Sequence, residues 1–420
     1  MPDRDSWNWT PEKRLIADLA RIRDESSSVH EFVVSSDGEQ IAAPVIREDD
    51  SFGICVNGKL WDSEFEKAWH LKFTPDDRLT ALVQVDDEWT VVVDGTLWEE
   101  RYEFAWNTTF SRDGTAIGIQ AKQDMDYFVA VNDKSWEQKF LSCRDLVISD
   151  DGSKVVTLAQ VEELPDADTV KFMEGTWSVV VNGEAWNDKF INAYSPAVSP
   201  DSTQVAAEVR LDICEYTIAL DGQPWDERFS CTWEPMYRPG GKTILVPVRI
   251  GGDWTMAENG SPLWAGRYVQ LWNPRLSPDG KRLAAVVAPT FGRWTVAVDD
   301  TPWTTTFSDM VLPPVFSPDG RRVATVVKDE ECWGVAVDGT PWTDTFDMVW
   351  DPVTSPDGDL VVAKVEKDGT HAIACNGKVW SAGYELVWDP VFSSDGKHIL
   401  IRGVEGGKYY RHVVSRADIS

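Results

Sequence analysis

An all-β fold assembled from about ten copies of one four-stranded unit is predicted by three features of the 420-residue chain. A Ser-Pro-Asp-Gly turn, intact or degenerate, has its fourth residue at Gly38, Asp77, Gly114, Gly152, Ser202, Gly241, Gly280, Gly320, Gly358 and Gly396, in steps of 39, 37, 38, 50, 39, 39, 40, 38 and 38 residues. Between these anchors an apolar run leads into Asp-Gly or Asn-Gly and then tryptophan, as in Val335-Ala336-Val337-Asp338-Gly339-Thr340-Pro341-Trp342. Twenty of the 22 tryptophans fall at three fixed phases of this period.

The Asp-Gly tryptophan stands at Trp61, Trp98, Trp136, Trp186, Trp225, Trp264, Trp303, Trp342 and Trp380, each followed four residues later by Phe or Tyr. Four residues further on, six units carry Trp69, Trp106, Trp233, Trp272, Trp350 or Trp388. The third phase, six residues before the Asp-Gly glycine or its equivalent, holds Trp89, Trp177, Trp254, Trp294 and Trp333. Such spacings suit one face of a strand or of a helix, so periodicity leaves the choice open. Turn chemistry closes it. Runs such as Arg322 to Val327 and Gly334 to Val337 are bounded every eight to twelve residues by turns whose glycine supplies the positive φ of a tight hairpin. A period near 40 with four short antiparallel strands is a propeller blade. The phased tryptophans are then expected to fill the space between neighbouring sheets.

The chain overhangs its repeats at both ends. One strand-like segment, Glu31 to Val34, precedes the first anchor, and two, His398 to Arg402 and Tyr409 to Val414, follow the last. Joined, they make most of one further unit, as when a propeller merges its termini and hides its edge strands. Repeats over residues 29–414 thus predict a single ten-bladed ring, with two five-bladed propellers divided near the long step as the alternative.

The N-terminal segment, residues 1–28, is predicted to carry an amphipathic helix over Pro11 to Arg23. Thr10 is placed to cap it, Pro11 to open it, and Leu15, Ile16, Leu19 and Ile22 form its apolar stripe. Such a helix clasps the ring or docks a partner, with Trp7 and Trp9, the two tryptophans outside the repeat, as aromatic anchors. The long step contains an acidic insertion, residues 161–175, whose Glu162, Glu163, Asp166 and Asp168 surround Pro165. Loops on rigid scaffolds collect binding residues, which makes these four the second set of partner-contact candidates.

Composition narrows function. Seventy acidic residues against 40 basic give a net charge of −30, which repels phosphate backbones and argues against nucleic acid. The same charge suits a basic protein partner. No apolar run is long enough for direct membrane insertion, and Met1 to Trp9 lacks the basic and apolar regions of a signal peptide, so a cytoplasmic protein is expected. The six cysteines are scattered without a Cys-x-x-Cys pair and the five histidines show no metal-ligand spacing, so no metal or cofactor site is expected. No phosphate-cradling loop and no Gly-x-Ser-x-Gly elbow appears. The repeated aspartates Asp37, Asp279, Asp319, Asp357 and Asp395 are explained as turn formers. A non-catalytic protein is expected, with a calcium-dependent or carbohydrate-active propeller enzyme as one alternative, since carboxylates around an axis can bind calcium or cleave glycosides.

Over residues 29–414 the chain resembles the WD-repeat-like propellers of bacteria that carry the Ser-Pro-Asp-Gly turn. The Gly-His and Trp-Asp pairs of true WD repeats are not in register: Trp61-Asp62 and Trp225-Asp226 stand where other units have Trp-Glu, Trp-Thr or Trp-Ser. Length, tryptophan density and the Val-Asp-Gly-Thr-Pro-Trp unit also resemble the tryptophan-rich cytoplasmic subunit of the transmembrane redox complex of sulfate-reducing bacteria. That resemblance implies a cofactor-free accessory subunit. Its implied partners are an iron-sulfur subunit, a membrane cytochrome b and a periplasmic multihaem cytochrome c, and it would lie at the inner face of the membrane through them. A free-standing interaction propeller is the other alternative.

Overall fold

The computed structural model describes residues 4–20, 22 and 26–419. Within them ten antiparallel sheets follow one another along the chain. Blades 1 to 9 occupy residues 28–60, 67–97, 104–135, 142–185, 192–224, 231–262, 270–302, 310–341 and 348–384, and blade 10 residues 386–415 together with Glu12–Asp18. Each blade is a meander of four strands. In blade 3 the fourth is reduced to a single bridge between Ala130 and Ser135.

Both repeated turns are built by side chains. Ser317 Oγ donates to Asp319 (2.5 Å) and accepts the Arg322 N–H (3.0 Å), locking the turn between the first and second strands. In nine blades the hairpin Asp or Asn accepts the first N–H of its own second strand, as Asp338 does from Val323 at 2.9 Å. The recurrent aspartates therefore hold turns, as the sequence predicts.

Second strands are buried on both faces, because each blade is sandwiched between two others. Val323–Asp329, for example, begins with five buried residues. Apolar clusters join every consecutive pair of blades around the circle, including blade 5 to blade 6 through Ile218, Phe229 and Ile244 and blade 10 to blade 1 through Tyr409, Val404 and Ile41. That circuit makes one ring of ten blades, since two five-bladed propellers would break it between blades 5 and 6.

Closure corrects two expectations. Residues Glu12–Asp18 form a strand, not a helix; Arg21 and Arg23 of the expected helix lie outside the described residues. The strand pairs antiparallel with Lys408–Ser415, from Glu12 opposite Val413 to Asp18 opposite Lys408, and is the fourth strand of blade 10. An unpaired edge of backbone donors and acceptors outweighs the weak local preference of one amphipathic stripe. Val33–Val34, expected in the shared blade, instead pairs with Ile41 and Ala42 in blade 1. The termini do share the closing blade, but through an earlier segment.

The seam is fastened by buried arginines. Arg411, 1% exposed, donates to the carbonyls of Asp37 (2.8 Å) and Asn8 (2.7 Å), and Arg402 to that of Ser35 (3.0 Å).

Candidate functional site

Up-and-down strands sort the connections onto two rims. The Ser-Pro-Asp-Gly turns and the Asp-Gly hairpins end on one. The hairpins between second and third strands, and the links from each blade to the next, end on the other, called here the hairpin rim. Of the fifteen large hydrophobic side chains that are exposed among the described residues, all but Leu15 and Leu263 lie on the hairpin rim or the rimward half of a first strand. Met125, Ile213 and Phe291 occupy hairpin tips, and Phe291 is 92% exposed. Polar turn residues are the usual occupants of such tips, and their replacement by apolar ones is a signal the sequence carries but periodicity conceals.

Aromatic rings continue this surface inward. Trp69 and Trp233, at 44% and 41% exposure, are not core residues as expected from their phase. Of the twenty phased tryptophans only Trp89, Trp98, Trp254 and Trp264 are fully buried. The rest close the gaps between sheets with one edge toward solvent. Across blades 2 and 3, Trp89, Trp69, Phe104, Trp106 and Tyr127 form an unbroken chain of ring contacts, with neighbouring centroids 4.8 to 5.9 Å apart.

The six predicted contact residues do not converge. Trp7 and Trp9 stack on each other (centroids 5.8 Å apart) and are half-buried; Trp9 Nε1 donates to the Arg4 carbonyl at 2.8 Å. The strand they lead into starts opposite Val413, near the Asp-Gly turns, so they sit by the rim opposite the insertion. Within the insertion, Asp168 caps a short helix, Thr169–Glu174, by accepting the Lys171 N–H. Glu162 is braced by Lys171 and Lys189, whose hydrogen bonds hold its carboxyl down at about 2. Glu163 and Asp166 are exposed, and so are Leu164, Val170 and Met173 beside them. The loop thus offers the hairpin rim a mixed acidic and apolar face.

One carboxyl is buried in a seam. Glu208 of blade 5, 5% exposed, lies beside Thr232 and near Glu234 of blade 6; desolvation raises its pKa to about 7. None of the six cysteines forms a disulfide. Among the described residues no group of three or more His, Cys, Asp or Glu is arranged to hold a metal ion, and no helix is long and apolar enough to cross a membrane.

No protein-family model matches the chain, and no curated protein matches it in sequence. Among solved structures it is similar to a crystal structure of a eukaryotic initiation factor, at 12% identity and a TM-score of 0.50, over 77% of this chain and 89% of that one. Similarity to TolB from Acinetobacter baumannii has 16% identity and a TM-score of 0.28 over 57% and 60% of the two chains. For the Dos1 propeller the values are 12% and 0.37 over 72% and 90%. At such identities the likeness to the initiation factor is one of fold alone. Sheet topology and this likeness together define a β-propeller, here of ten blades.

Proposed function

We propose that the chain is a non-catalytic interaction scaffold that docks a protein partner on its hairpin rim. The one-sided exposure of large apolar side chains carries this reading. A rigid ring gains nothing in stability from Phe291, Met125 and Ile213 in water, whereas exposed apolar groups gathered on one surface mark interaction sites. A net charge of −30 sets the partner's character: basic, with an apolar face. Self-association through this rim is opposed by the same charge.

The finer reading is an accessory subunit of a membrane-associated electron-transfer complex, cofactor-free itself, with iron-sulfur and cytochrome subunits as partners. Tryptophan density and the Val-Asp-Gly-Thr-Pro-Trp unit support it. The test is affinity purification of the tagged chain from its native host in mild detergent, with mass spectrometry and a visible absorption spectrum. Haem bands together with membrane and iron-sulfur subunits are expected, and Phe291→Asp with Met125→Asp should remove them. A colourless eluate of soluble proteins, still lost in the double variant, would keep the scaffold and reject the redox complex. Partners retained by the double variant would reject the hairpin rim.

A further inference from the structure

In blade 2, Trp69 stacks on Trp89 with centroids 4.8 Å apart, and Phe104 of blade 3 closes edgewise on both at 5.8 and 5.9 Å. Blades 6 and 7 repeat the pair, Trp233 on Trp254 at 5.3 Å and Trp272 on Trp294 at 4.7 Å. One step earlier in the ring, between blades 1 and 2, the same three repeat positions hold His30, Phe52 and Lys67. An imidazole and a phenyl ring replace two indoles, and a flexible amine-tipped chain replaces the phenyl wall. His30 and Phe52 still stack, at 5.8 Å and 15° between planes. Beside them lies a cleft of about 750 Å³, whose lining includes His30, Val33, Phe52, Lys67, Leu71 and the Trp69 indole of blade 2. That size and mostly apolar lining fall within the range of small-molecule sites.

We propose that this cleft binds an indole ring supplied by a ligand. The sister blades show that the repeat accommodates an indole at this phase, packed against a third-strand aromatic and walled by the next blade. Blade 1 keeps the aromatic floor but sets only the smaller His30 imidazole on it, with the cleft beside it. Lys67 stands where Phe104 covers the filled niche, so its ammonium can lie over the free π-face of a bound ring, and indole is the strongest side-chain partner for such a contact. The cleft adjoins the apolar rim through Trp69, but none of the hairpin-tip residues Met125, Ile213 and Phe291 lines it.

Binding of 5-fluoroindole to the full chain, followed by ¹⁹F NMR, tests the assignment. A dissociation constant on the order of 0.1–1 mM is expected for so small a ring. His30→Trp and Lys67→Phe each copy the filled niche of blades 2 and 3, and each should weaken binding at least tenfold while circular dichroism stays unchanged. Lys67 is exposed, so Lys67→Phe reports even where His30→Trp disturbs the fold. N-acetyl-tryptophanamide, measured alongside, binding as well as indole would mean that a peptide can deliver the ring, and binding by free indole alone would mean a small molecule. No binding by either compound, or unchanged affinity in folded Lys67→Phe, overturns the proposal.

Discussion

Trp303 of blade 7 packs against Gly339 in the hairpin of blade 8, so closely that a β-carbon on the glycine would stand 3.0 Å from the ring. The same relation links Trp136 with Gly183, Trp186 with Gly222 and Trp342 with Gly377, at 3.5, 3.5 and 3.2 Å. In blades 4 and 8 the hairpin thus serves two interfaces: its glycine, Gly183 or Gly339, receives the ring of the blade before, and its tryptophan, Trp186 or Trp342, seats on the glycine of the blade after.

Gly339→Ala should therefore cost more than its backbone strain. Its φ of 80° accounts for about 1 kcal/mol in alanine, and the blocked ring adds roughly 1–3 kcal/mol of overpacking. Gly95→Ala, at φ 83° with nothing within 4 Å of the added carbon, isolates the first contribution. Urea unfolding of the two variants measures the difference; equal losses would show that the ring contact carries no energy.

Removal of residues 1–18 should open blade 10. The strand Lys408–Ser415 becomes an edge and Tyr409, now fully buried, loses its cover. Rapid hydrogen exchange over 408–415 and association of the truncated chain are the expected outcomes. Undiminished protection there would mean that Glu12–Asp18 does not clasp the ring. Trp7→Ala with Trp9→Ala should leave that protection intact, since both rings lie outside the paired strand.

Glu208 should make stability depend on pH. Its folded pKa, about 7, lies above the ordinary glutamate value near 4.5, so the folded state retains the proton longer. The contribution is complete below pH 4.5 and is lost as pH rises through 7. Glu208→Gln keeps the neutral shape, so it should exceed the natural chain in stability at pH 8, by up to roughly 2–3 kcal/mol, and match it near pH 4.5. Thermal melts at the two pH values decide it, and a gap that does not change with pH would place the proton elsewhere.

Phe291→Ser should leave unfolding within about 0.5 kcal/mol of the natural chain, because a side chain 92% exposed makes little contact to lose. Partner capture should nevertheless fall. A variant that loses stability instead would assign Phe291 to folding and remove it from the docking surface.

Strand content, blade number and turn geometry were legible in the residues because each is set locally and repeated ten times over. Ser317, Asp319 and Arg322 close their turn among themselves, whatever surrounds them. The candidate contacts were less legible. Glu162 looks free in sequence, yet Lys189, 27 residues away, neutralises it. Trp69 looks like core, yet nothing covers its outer edge.

What the sequence determined by itself is the repeating unit, through hydrogen bonds and φ values that span a few residues. The tertiary structure decided how the ring closes and which rim is apolar. Leu15, Ile16, Leu19 and Ile22 have the spacing of a helix, but the open edge of Lys408–Ser415, nearly 400 residues away, offers hydrogen bonds that a strand alone can complete. Exposure on a rim likewise depends on the blade beside it, so it is fixed only when the circle is whole.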